Sequence, residues 1–136
     1  MARNILVDAG FLVALLSRRD SHHPWAVTHA TRLVPPWRTC ESVLSEAFHL
    51  LGARGAPGLN ALLRRRALVP AFNLDNDVDS VLKLLQKYAD VPMSLADACL
   101  VRMTEILPEP VIITTDSDFH IYRRHSRQVV PSVTPT

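Results

Sequence analysis

The chain has 136 residues, 48% of them hydrophobic, a formal net charge of +2 and two cysteines. That is the length of one ordinary domain, able to bury a core without disulfides or a structural metal, so a single compact unit over residues 1–136 is expected. Cys40 and Cys99 lack metal-site spacing and each sits in an apolar run, which favours reduced core thiols and a reducing cytoplasm over a bridge or a zinc site. The opening apolar stretch is broken by Asp8 and Gly10, which excludes a signal peptide and a membrane span, and the small charge excess permits a polyanionic partner without naming one.

In chain order, Ile5-Leu6-Val7 is a short apolar run ending in Asp8. Phe11, Leu12, Ala14, Leu15 and Leu16 follow at helical spacing, which reads as buried strand, turn and helix. Pro24 suits the first turn of a helix carrying Trp25, Ala26, His29, Ala30 and Leu33, closed by Pro35-Pro36. Trp37-Arg38-Thr39 forms a very short candidate strand. Val43, Leu44, Ala47, Leu50 and Leu51 then keep a helical stripe that Gly52 should stop, with another helix from Gly58 to Arg66. Leu68 to Leu74 reads as an edge strand interrupted by Pro70. Asp75-Asn76-Asp77 offers caps for a helix through Tyr88, and Ser94 opens a further helix that ends before Pro108 and Pro110. Val111 to Thr115, β-branched throughout, is the strongest strand signal; a short basic helix from Phe119 to His125, a strand around Val129-Val130 and a loose tail from Pro131 to Thr136 complete the chain.

Strands alternating with helices imply an α/β sheet, mostly parallel and covered on both faces. Sites in such sheets form at the carboxyl ends of strands, and Asp8 and Asp116 each end one, so the two acids should share a rim. Taken singly, Asp8 reads as a helix N-cap, Asp97 as the acid of a Ser94-Leu95-Ala96-Asp97 capping box, and either Asp116 or Asp118 as the cap of the helix that follows. Glu46 is different: it flanks an inward stripe and has no lysine or arginine within a turn of it. Brought together, four such carboxylates would repel and their pKa values would rise unless a cation intervened; hard oxygen ligands without a Cys/His set point to Mg²⁺ or Mn²⁺.

At these positions the sequence resembles the PIN-domain family, and within it the VapC-type ribonuclease toxins of toxin–antitoxin pairs. The likeness rests on Ile5-Leu6-Val7-Asp8, Val43-Leu44-Ser45-Glu46-Ala47, Ser94-Leu95-Ala96-Asp97-Ala98 and Thr114-Thr115-Asp116-Ser117-Asp118-Phe119, in the family's order. It implies a PIN-like three-layer α/β/α sandwich and Mg²⁺- or Mn²⁺-dependent hydrolysis of RNA. It also implies a homodimer, a possible cognate antitoxin, and Asp118 as an auxiliary ligand. In that scheme Asp8 and Asp116 bind a central ion while Glu46 and Asp97 complete the pocket; about four negative charges are balanced by two divalent ions. Ser94, Thr115 and Ser117 are candidate phosphate donors at the rim, with Arg18, Arg19, Arg123, Arg124 and Arg127 farther out. Arg64-Arg65-Arg66 reads as a solvated face. The rival is a non-catalytic module of the same fold that binds RNA or protein. A receiver-like domain wants an adjacent acidic pair after the first strand and a lysine after a late one, and a haloacid-dehalogenase-like phosphatase wants aspartates two apart; Asp8-Ala9-Gly10 supplies neither acid pattern, and no lysine follows Tyr88.

Overall fold

The two most apolar strand signals of the sequence lie side by side at the centre of a five-stranded sheet. In the computed structural model, which describes residues 3–136, β1 (Asn4–Val7) pairs in parallel with β4 (Pro110–Ile113), from Asn4 opposite Pro110 to Val7 opposite Ile113. Met1 and Ala2, the first residues of the expected domain, lie outside the described residues. Beyond β1 come β2 (Trp37–Thr39) and then β3 (Leu68–Pro70); beyond β4 comes β7 (Ser132–Val133). The order is β3-β2-β1-β4-β7 and every neighbouring pair is parallel.

Parallel neighbours require crossovers, which are built from the helices α1 (Ala9–Leu16), α2 (His23–Ala30), α3 (Glu41–Arg64), α4 (Val78–Lys87) and α5 (Leu95–Ile106). Successive strand residues point to opposite faces, and Leu6, Val7, Ile112 and Ile113 are all fully buried, so both faces of the central strands are covered. This is the three-layer α/β/α sandwich with a parallel central sheet. One buried apolar cluster runs from Ile5 to Val130 and includes Cys40 and Cys99, both free thiols. Among the described residues no helix is long and apolar enough to cross a membrane.

Several local expectations are corrected. Gly52 does stop the first helical segment of α3, with a non-helical φ 63°, ψ −165° open to glycine, but a second segment starts directly behind it across the kink, well before the expected Gly58. The edge strand is shorter than Leu68 to Leu74, because pairing stops at Pro70. Asp77 precedes α4 without a side-chain cap bond; its carboxylate instead pairs with Arg102 at 2.8 Å. No helix spans Phe119 to His125. A single 3-10 turn, Ser117–His120, leads into a hairpin of β5 (Arg123–Arg124) and β6 (Gln128–Val129), which stands apart from the main sheet. The fifth strand of the sheet comes from the segment read as a tail, since Ile112 and Thr114 donate backbone bonds to Pro131 and Val133.

Candidate active site

Each acid at the carboxyl rim of the sheet is placed by local chemistry that the sequence specifies. Asp8 ends β1 and caps α1: one carboxylate oxygen, Oδ1, accepts the Ala9 N–H at 2.7 Å. Its other oxygen, Oδ2, accepts the Thr114 hydroxyl at 2.7 Å. Thr114 follows β4, is fully buried, and its hydroxyl oxygen also accepts the Asp116 N–H at 2.9 Å, so one side chain ties Asp8 to the backbone of Asp116. Asp116 in turn caps the 3-10 turn, its Oδ1 accepting the Asp118 N–H at 2.9 Å.

Asp97 enters from the other side. It is the third residue of the α5 capping box, donating its N–H to Ser94 Oγ at 3.0 Å and accepting the Ser94 N–H on Oδ2 at 3.4 Å. The same Oδ2 accepts the Tyr122 hydroxyl at 2.8 Å. As a result Asp8, Asp97 and Asp116 each offer an oxygen within 4.8 Å of the other two. The cap reading and the convergence reading therefore hold together for all three. A carboxylate has about four acceptor sites, and capping uses only part of them.

The electrostatics of the hollow are those of acids held too close and too dry. Burial pushes Asp8 up to about 7; the Thr114 and Ala9 hydrogen bonds oppose this, and the charges of Asp97 and Glu46 add to it. Asp97 is also raised, by burial first and then by Asp116, against the hydrogen bonds from Tyr122 and Ser94. Burial and the Asp97 charge hold the Tyr122 phenol well above its ordinary value, so it stays a donor. Three carboxylate oxygens around one small hollow, with no cation side chain bonded to any of them among the described residues, form a donor set suited to a hard divalent cation.

The other expected site residues are placed less centrally. Glu46 is exposed on α3 and outside the trio, though its charge reaches Asp8. Asp118 is half-buried and also outside the trio; it supplies a backbone N–H to Asp116. Ser94 is exposed and engaged in its cap, Ser117 is exposed, and the half-buried Thr115 lies so close to Gly10 that a Cβ on Gly10 would meet its Oγ1 at 2.2 Å. Arg123 and Arg124, expected as outlying phosphate donors, are half-buried and engage backbone carbonyls. Arg123 donates to the carbonyls of His120, Ile121 and Tyr122, and Arg124 to that of Thr104 at the end of α5. Arg18 and Arg19, with Arg54 and Leu50, line a cleft of about 320 Å³ between α1 and α3. A cavity of about 580 Å³ lined by Arg3, Val34, Arg38 and Val133 contains none of the acids.

Two residues that sequence reasoning did not name as site residues hold the trio: Thr114, read as part of a strand and as the first residue of the motif that carries Asp116, and Tyr122, placed inside a helix.

A PIN domain family model matches residues 5–124, a span that contains all of these acids. In three dimensions the chain is similar to VapC20 of Mycobacterium tuberculosis, a sarcin–ricin loop cleaving toxin, with a TM-score of 0.74 and 22% identity over 85% of this chain and 92% of that one. It is also similar to PAE2754 of Pyrobaculum aerophilum, with a TM-score of 0.50 and 21% identity over 87% of this chain and 84% of the other. No curated protein matches it in sequence. At these identities the structural likeness speaks for the fold, and the family match over most of the sequence settles the kinship: the chain belongs to the PIN-domain family.

Proposed function

We propose that this protein is an endoribonuclease that hydrolyses RNA phosphodiester bonds with Mg²⁺ or Mn²⁺, and that it acts as a VapC-type toxin. The observation that carries the reading is the convergence of Asp8, Asp97 and Asp116 at the strand rim of a PIN-family chain. These three are the ligands we assign to the ion. When bound, Mg²⁺ or Mn²⁺ offsets charge on the scissile phosphate and makes water a competent nucleophile near neutral pH. Thr114 and Tyr122 hold the ligand oxygens in place. Glu46, exposed but electrostatically coupled to Asp8, is assigned to orienting water or a second ion, with Asp118 auxiliary to Asp116. Ser94, Thr115 and Ser117 supply rim hydroxyls for the phosphate.

The toxin assignment draws on the likeness to the sarcin–ricin loop cleaving toxin and brings with it a cognate antitoxin, a homodimer and a cytoplasmic setting, the last in keeping with two buried free thiols. The test is cleavage of defined RNAs, a sarcin–ricin loop oligonucleotide among them, in Mg²⁺, Mn²⁺ or EDTA, with Asp8→Asn and Asp116→Asn alongside. Cleavage that needs the metal, leaves 5′-phosphate ends and disappears in both variants is expected. Activity that persists in EDTA or in Asp8→Asn would refute the assignment.

A further inference from the structure

We infer that Tyr122 is a positioning residue for the acid hollow: its hydroxyl, bonded to Asp97 Oδ2 beside the Ser94 N–H, fixes the carboxylate that shares the cation with Asp8 and Asp116. The inference rests on the metal site proposed above and extends it to a side chain that touches no substrate. A fully buried tyrosine must place its hydroxyl somewhere, and a backbone carbonyl would satisfy it. Here it ends on a carboxylate of the cluster. Its ring is clamped edge-on between Tyr88, at 5.1 Å, and Phe119, at 5.3 Å, so the hydroxyl is held by packing.

Asp97 depends on that bond. Its remaining side-chain contact, to the Ser94 N–H, is 3.4 Å long, near the limit for a useful hydrogen bond, and comes from its own helix cap. Tyr122 alone fixes it from a distant segment, and among the described residues no hydrogen bond reaches Oδ1. Without the phenol the carboxylate can turn about its terminal torsion, and the trio loses a fixed corner. Outer partners of this kind, which orient a ligand without touching the ion, are worth about 10–100-fold in metal affinity.

Tyr88 provides a matched control. It is buried, packs on the Tyr122 ring, and its hydroxyl accepts the Arg123 N–H at 2.8 Å, away from the acids. The experiment is an Mn²⁺ titration, read by the loss of the free-ion paramagnetic resonance signal, on wild type, Tyr122→Phe and Tyr88→Phe, with melting curves in EDTA to confirm folding. Tyr122→Phe, which keeps the packed ring, should raise the Mn²⁺ Kd about 10-fold or more, while Tyr88→Phe stays within about twofold of wild type. RNA cleavage by Tyr122→Phe should recover at saturating Mn²⁺. p-Aminophenylalanine at position 122, which keeps both ring and donor, should restore the affinity. Equal shifts in the two Phe variants, a Tyr122→Phe shift below about twofold, or failure of the folded aminophenylalanine variant to rescue would overturn the inference alone. A wild-type chain that takes up no Mn²⁺ would overturn it together with the nuclease reading.

Discussion

Replacing Asp8 by Asn should stabilise the metal-free protein at alkaline pH and abolish its response to metal. Asp8 is 6% exposed, and its carboxyl titrates at about 7 in the folded chain against an ordinary 3.8. Because the folded value lies above the unfolded one, the group's contribution to stability is fully present below about pH 4 and is lost as the pH rises through 7. At about 1.36 kcal/mol per unit, the loss across that window approaches about 4 kcal/mol. Asparagine cannot ionise and escapes the loss. It does turn an acceptor into a donor opposite the Thr114 hydroxyl, which must swing its proton away at a cost of about 1 kcal/mol. Asp8→Asn in EDTA should therefore exceed wild type by about 3 kcal/mol at pH 8 and by less than about 1 kcal/mol at pH 5. Saturating Mn²⁺ should reverse the order at pH 8, since an ion at about 1,000 times its Kd adds about 4.1 kcal/mol to a protein that binds it and nothing to one that does not. Urea unfolding followed by circular dichroism at both pH values measures all of this. A variant less stable than wild type at pH 8 in EDTA, or a stability difference independent of pH, would refute the reasoning that Asp8 is a buried charge awaiting a cation.

Thr114→Val removes the donor to Asp8 and the acceptor of the Asp116 N–H in one isosteric change, so urea unfolding should show a loss of about 2–3 kcal/mol, with the Asp8 carboxyl titrating higher still by NMR. Gly10→Ala places a methyl 2.2 Å from Thr115 Oγ1, and displacing Thr115 beside the acids should cost about 1–3 kcal/mol and most of the RNA cleavage; a variant as stable and active as wild type would mean the rim tolerates the shift. Gly52→Ala meets nothing within 4 Å but must hold φ 63°, ψ −165°, so it should lose about 1–3 kcal/mol by urea unfolding while cleavage per folded molecule is unchanged.

The centre of the fold was legible because β1 and β4 bury both of their faces, and such strands announce themselves as unbroken apolar runs. The C-terminal quarter was not, for two reasons that are both tertiary. Ser132 and Val133, set among prolines, carry no strand signal; they pair because the outer edge of β4 would otherwise leave the N–H groups of Ile112 and Thr114 without partners. Phe119 and Tyr122, three apart, mimic a helical stripe, yet the chain reverses at His125 and Ser126, which take φ of 48° and 69°. Hairpin turns with consecutive positive φ values are usually marked by Asn-Gly or Asp-Gly, and His-Ser gives no such sign. Lys87, which donates to the Ser126 carbonyl, and Glu105, which accepts the His125 N–H, brace the turn from other elements.

The acids of the site were legible for a reason that also explains what escaped notice. Asp8 and Asp116 each follow a strand end, and in a parallel sheet those ends share one rim, so their meeting follows from element order; Asp97 and Glu46 were added by the family resemblance, and of these only Asp97 joins the trio. Element order could not weigh a cap against a ligand, because each aspartate satisfies its cap from within its own stretch of chain whether or not it faces the others. What separates a site from a set of caps is the bonds that cross between segments. Thr114 reaches Asp8 over 106 positions and Tyr122 reaches Asp97 over 25. The Thr114 hydroxyl also accepts the Asp116 N–H just past β4, the Tyr122 hydroxyl takes part in no cap, and both side chains are fully buried, where another acceptor would have satisfied either proton. That both find a carboxylate of the same trio, each opposing the upward push of burial on its pKa, is the physical mark of acids held ready to bear charge together.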